Sequence, residues 1–215
     1  MKRLIIFDLD GTLLDTLEDL RDGVNFALRG AGFPERSLDE VRAFVGNGIR
    51  LLVERAVPQG TDAETTDRVF AAFKAYYSQN CMIKTAPYAG MPQLLNALKA
   101  QGALLGVVSN KADAPVKDII AHYFPSTFDY VVGERPGVRK KPAPDSVFET
   151  AKALGCTLGD ICYVGDSDVD AMTAKNAGCE CVLVSWGFRP RQLLESFAPF
   201  TVVDTPEQLL KELTK

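Results

Sequence analysis

Two carboxylates one residue apart, Asp8 and Asp10, follow directly on the apolar run Leu4-Ile5-Ile6-Phe7. An unbroken apolar run of this kind suits a strand buried on both faces, as in a parallel sheet. Side chains alternate along an extended chain, so Asp8 and Asp10 point the same way. Two like charges side by side repel unless a cation lies between them or one of them holds a proton. Gly11 permits a sharp turn straight afterwards. Further polar groups stand at Ser109-Asn110, at Lys140-Lys141-Pro142-Ala143-Pro144 and at Asp166-Ser167-Asp168-Val169-Asp170. Taken singly, each has an ordinary explanation: an acidic turn, a helix cap, a solvated lysine pair, an acidic helix N-terminus.

The elements around these residues bring them together. Helical spacing and capping residues predict helices over about 16–31, 38–44, 49–56 and 63–79, with Thr16 capping the first. From Pro87 onward, strands near 104–109, 130–132, 161–164, 181–184 and 200–203 alternate with helices near 91–101, 115–122, 144–154, 168–177, 190–196 and 206–213. This alternation predicts a Rossmann-like α/β core, a parallel sheet between two helical layers, to which the opening strand also belongs. The wholly helical block is then an insertion after the first strand. The expected division is a core of residues 1–15 and 84–215 and an all-helical cap domain of residues 16–83. In open parallel sheets ligands bind beyond the carboxyl ends of the strands, and the polar groups fall there.

Composition narrows the possibilities. The chain has 215 residues, 47% of them hydrophobic, with a net charge of −4 and a pI near 5.1. This acidity argues against nucleic acid or an anionic membrane as a partner. Met1-Lys2-Arg3 leads into only four apolar residues, which does not make a signal peptide, and no apolar stretch approaches the ~20 residues of a membrane helix. The expectation is a cytoplasmic protein, monomer or homodimer. The five cysteines contain no Cys-x-x-Cys pair, and the single histidine, His122, is far from all of them in sequence. They read as reduced, structural thiols.

Carboxylates, a hydroxyl and a lysine at one sheet edge form an inventory for phosphoryl transfer. The Asp166-x-Asp168-x-Asp170 spacing fails as a calcium loop, because Ala171 and Ala177 occupy the positions of its glycine and its bidentate glutamate. Oxygen-only donors suit Mg²⁺. A carboxylate that attacks a phosphate dianion meets repulsion of roughly 4 kcal/mol per like-charge pair about 4 Å apart. One divalent ion and one lysine offset it. The residues therefore point to an aspartyl-phosphate mechanism.

In this order Asp8-Leu9-Asp10-Gly11-Thr12, Ser109-Asn110, Lys141-Pro142-Ala143-Pro144 and Gly165-Asp166-Ser167 with Asp170 resemble the motifs of the haloacid dehalogenase superfamily, over the whole chain. Within it the chain is most similar to phosphoglycolate phosphatases, through Asp8–Thr16, the stretch Val45-Gly46-Asn47-Gly48 with Arg50, and Trp186-Gly187-Phe188-Arg189. The resemblance implies Asp8 as nucleophile and Asp10 as acid and base. It implies Mg²⁺ held by Asp8, the Asp10 backbone carbonyl and Asp166, with Asp170 supporting the metal waters or orienting Lys141. Ser109 and Lys141 would bind the phosphoryl oxygens, helped by backbone amides near Asn110. From the residues themselves, Gly46-Asn47-Gly48 before a helix can present backbone amides to an anion of the substrate, and Arg50 can pair with a substrate carboxylate. The expected substrate is a small phosphorylated metabolite, phosphoglycolate first. Pyrophosphate, a nucleoside monophosphate or a sugar phosphate are alternatives. A β-phosphoglucomutase-type transfer is disfavoured, since the helical block holds no histidine.

Overall fold

The computed structural model describes residues 1–215. The chain runs β1 (Leu4–Phe7), β2 (Leu14–Asp15), α1 (Leu17–Gly30), α2 (Leu38–Phe44), α3 (Ile49–Ala56), α4 (Ala63–Asn80), β3 (Ala86–Pro87), α5 (Met91–Ala100), β4 (Leu104–Ala112) and α6 (Asp113–Tyr123). It continues through β5 (Tyr130–Glu134), α7 (Asp145–Ala153), a 3₁₀ turn (Leu158–Asp160), β6 (Ile161–Gly165), α8 (Asp168–Ala177), β7 (Glu180–Val184), α9 (Arg191–Glu195), β8 (Thr201–Val203) and α10 (Pro206–Leu213). Two compact units result: Met1–Leu14 with Pro87–Lys215, and Asp15–Ala86.

The first unit is the α/β core. Its six-stranded sheet has the order β5-β4-β1-β6-β7-β8, and every pairing is parallel. β1 is central because Leu4, Ile5, Ile6 and Phe7 are all fully buried, and only a strand covered on both faces can bury four consecutive apolar residues. The chain builds outward from β1 to β4 and β5 on one side, then to β6, β7 and β8 on the other. The carboxyl end of β1 is thus the point where the strand order reverses, the place where such sheets open a crevice. No helix is long and apolar enough to cross a membrane.

The second unit is all-helical apart from the ends of its entry and exit. α1 packs Leu20, Val24 and Leu28 inward, and α4 packs Val69, Phe73 and Tyr77; the Phe73 and Tyr77 rings stack with centroids 5.1 Å apart. Ser37 and Glu40 form a reciprocal capping box at the start of α2, which satisfies amides the helix cannot bond itself. The buried Asp19 accepts hydrogen bonds from the Lys84 and Thr85 amides and from the Thr85 hydroxyl. Thr16, expected to cap α1, stands at the N-cap position but makes no capping bond. Its hydroxyl is buried without a partner, and Asp15 accepts from the Leu17 amide in its place.

Candidate active site

Asp8 leaves the sheet with its backbone still in register: its amide donates to the Val164 carbonyl at 2.9 Å. The next residues turn back at once. The amides of Leu13 and Leu14 donate to the Leu9 carbonyl, and that of Gly11 donates to the Leu14 carbonyl. Gly11 has φ +87°, and a Cβ there would lie 2.5 Å from Asp166 Oδ2. Only glycine satisfies both the left-handed backbone and the close approach.

On the neighbouring strand, Asn110, Lys111 and Ala112 extend β4 past Ser109, its expected end, and the register against β5 shifts between Val108 and Ala112. A local irregularity of this kind re-aims side chains that regular alternation would place elsewhere. The Asn110 side chain pairs with one peptide unit: its Nδ2 donates to the Lys141 carbonyl at 3.1 Å, and its Oδ1 accepts from the Lys141 amide at 2.9 Å. Asn110 therefore fixes the backbone of Lys141, so any contact of Asn110 with a phosphoryl group falls to its main chain. The Ser109 hydroxyl oxygen accepts from the Lys111 amide at 3.2 Å.

Lys141 is buried while Lys140 is exposed. Its ammonium lies 2.9 Å from Asp8 Oδ1 and 2.7 Å from Asp170 Oδ1, and donates to the Tyr163 hydroxyl at 3.2 Å. Burial alone would lower the Lys141 ammonium, but Asp170 and Asp8 hold it well above its ordinary value. Asp170 is itself fully buried and anchored on its other oxygen by the Ser167 amide and hydroxyl. It orients Lys141 from the first turn of α8.

Asp166 completes the cluster from the end of β6. It accepts from the Thr12 hydroxyl at 3.1 Å and from the Phe188 amide at 2.7 Å. Carboxylate oxygens of Asp8, Asp166 and Asp170 all lie within 4.8 Å of one another. Burial first, and then the Asp170 charge, push the Asp166 carboxyl up to about 7. The same two causes raise Asp8 well above the carboxylate range despite Lys141. Three buried carboxylates around one ammonium leave an excess of negative charge in a site of oxygen donors alone. A divalent hard cation fits that charge and those donors.

The structure brings Asp8, Asp166, Asp170 and Lys141 into one cluster. The Asp10 carboxylate does not join it; its Oδ1 lies 3.2 Å from the Lys111 ammonium. Asn47 and Arg50 belong to the helical unit. There Arg50 bonds Glu54 at 2.6 Å and Asp67 at 2.5 Å and lies over the Phe70 ring, while Asn47 accepts from Arg55. Asp168 points away, to Arg189 at 2.9 Å. Sequence reasoning assigned nothing to Lys111, Thr12, Tyr163 or the Phe188 amide. Thr12 and Phe188 lay within stretches quoted for the resemblance, and Lys111 left a signal as a lysine directly after the Ser109-Asn110 strand end.

Gly187 walls Asp166 from the other side, since a Cβ there would lie 2.3 Å from Asp166 Cβ and Oδ2. Gly187→Ala must displace Asp166. If Asp166 holds the Mg²⁺ that the family resemblance implies, Mg²⁺ titrated by calorimetry binds this variant about 10- to 100-fold more weakly, the scale of disturbing the support of a metal ligand.

Residues 5–184 match the family described as haloacid dehalogenase-like hydrolase. Phosphoglycolate phosphatase of Aquifex aeolicus is 34% identical over 210 residues, which cover 97% of this chain and 95% of that protein. Phosphoglycolate phosphatase of Mesorhizobium japonicum is 33% identical, with 99% and 95% covered. A solved structure from Lactobacillus delbrueckii subsp. bulgaricus superposes with a TM-score of 0.94 at 33% identity, covering 99% of both chains. With its parallel sheet, its reversal at β1 and its acidic cluster around a buried lysine, the chain belongs to the haloacid dehalogenase-like hydrolase family.

Proposed function

We propose that this hydrolase is a Mg²⁺-dependent phosphatase that cleaves phosphoglycolate through an aspartyl-phosphate on Asp8. The observation that carries the reading is the position of Asp8, 2.9 Å from the Lys141 ammonium and clustered with Asp166 and Asp170. The choice of substrate is supported by relatives of that name over nearly the full chain.

Asp8 attacks phosphorus, and the bond from phosphorus to the glycolate oxygen breaks. Asp10 gives that oxygen its proton. Asp10 then takes a proton from water, which attacks phosphorus. The bond to Asp8 breaks and inorganic phosphate leaves. The Ser109 hydroxyl and the Lys141 ammonium bind the phosphoryl oxygens, and Asp170 keeps Lys141 in place. Mg²⁺ would be held by Asp8, Asp166 and the Asp10 carbonyl, and would supply charge neutralisation for the transferring group. The helical unit Asp15–Ala86 acts as the cap that selects substrate. A substrate contact from Asn47 or Arg50 requires release from Arg55, or from Glu54 and Asp67.

The test is a panel of phosphoglycolate, pyrophosphate, nucleoside monophosphates and sugar phosphates, assayed with Mg²⁺ and with EDTA. Phosphoglycolate gives the highest kcat/KM. EDTA lowers turnover by about 10³-fold or more, and added Mg²⁺ restores it. Another compound ranked first overturns the substrate, and turnover insensitive to EDTA overturns the metal dependence.

A further inference from the structure

Lys111 and Lys141 are the two buried lysines of the chain. Lys141 serves the phosphoryl group in the reading above, which leaves Lys111 without a part in that chemistry. A buried ammonium is costly unless it has an anion to face. Lys111 faces the Asp10 carboxylate, with Nζ 3.2 Å from Oδ1, and its side chain is only 4% exposed. It is placed there by the irregular end of β4, where the register against β5 shifts.

We propose that Lys111 binds the carboxylate of the leaving group and so sets the preference for an anionic alcohol. The inference rests on the phosphatase reading with Asp10 as the acid. Asp10 must lie within hydrogen-bond distance of the leaving oxygen to protonate it. In phosphoglycolate the carboxylate is separated from that oxygen by a single methylene group. An ammonium bonded to one Asp10 oxygen is therefore beside the carboxylate when the other Asp10 oxygen meets the leaving oxygen. An ammonium carries three N–H donors and can hold Asp10 and a second anion together. Arg50, the residue the sequence suggests for this task, is already bound by Glu54 and Asp67.

The experiment compares phosphoglycolate with 2-hydroxyethyl phosphate, which keeps the P–O–CH₂ linkage and replaces the carboxylate by an uncharged group. Wild type prefers phosphoglycolate. Lys111→Met lowers kcat/KM for phosphoglycolate about 10²-fold more than for 2-hydroxyethyl phosphate, the scale of one lost charge-assisted hydrogen bond. Lys111→Arg retains most of the preference. Glycolate is expected to inhibit wild type competitively and to lose that inhibition against Lys111→Met. If Lys111→Met does not fold, Lys111→Gln carries the same comparison. Equal losses on both substrates overturn the inference and make Lys111 a positioning residue for Asp10. Unchanged kinetics overturn it as well. A wild type without the preference defeats the phosphoglycolate reading itself, before any variant is made.

Discussion

Asp8→Asn is expected to abolish turnover, with kcat lower by about 10⁴-fold or more, because in the proposed mechanism no other group replaces Asp8 as the covalent nucleophile. The fold survives the change. The asparagine oxygen still accepts from the Leu9 amide, which donates to Asp8 Oδ1 at 2.7 Å in the native protein, and still faces the Lys141 ammonium. The lost charge is one that burial and Asp170 already oppose. Circular dichroism of the variant therefore matches wild type while the phosphatase assay reads background. Hydrolysis retained in Asp8→Asn would sink the aspartyl-phosphate mechanism.

Asp166→Asn moves activity and stability in opposite directions. The cluster has three carboxylates and Lys141 against them. Removing the Asp166 charge takes away one of the proposed anionic metal ligands, so the expected result is kcat/KM lower by about 10³-fold and Mg²⁺ affinity lower by about 10²-fold or more. In metal-free protein the same charge is a liability, since burial and Asp170 disfavour it. The amide fits the two contacts: its oxygen accepts from the Phe188 amide, and its nitrogen donates to the Thr12 hydroxyl oxygen, which the hydroxyl can allow by rotating. Relief of like-charge repulsion by about 1–2 kcal/mol raises the metal-free Tm by about 3–6 °C for a chain of this size. Saturating Mg²⁺ reverses the order, because it stabilises wild type more strongly than the variant. Calorimetric scans with and without Mg²⁺ read both effects. A metal-free Asp166→Asn protein that melts below wild type would show that the hydrogen bonds of Asp166 outweigh its charge.

Much of this site is legible in the chain because parallel sheets collect their polar residues at one edge. Leu4–Phe7 announces a strand buried on both faces. Whatever follows it, and whatever follows the strands near 104–109 and 161–164, must lie near the same crevice. That logic finds Asp8, Ser109, Asp166 and Asp170 without any contact being known. The helical block is legible for a related reason: its apolar residues recur at helical spacing, a local property. The two-residue strands β2 and β3 are too short to carry a period, and neither is foreseen.

What local pattern cannot carry is the choice between neighbours. Lys140 and Lys141 are equivalent by charge and local pattern alone, and only the motif resemblance favours Lys141. Burial selects Lys141, through an Asn110 side chain 31 residues away that grips its peptide group. Lys111 is one polar residue among several at a strand end until the fold places it against Asp10, 101 residues earlier. Arg50 looks available until α4 brings Asp67 to it. The sequence alone determined the strand-and-helix alternation, the acidic and basic inventory and the family. Tertiary structure decided which carboxylates share a charge and which of them each lysine faces. The physical reason is range: periodicity and turn chemistry act within a few residues, whereas burial and Coulomb energy act between groups that only the folded chain makes neighbours.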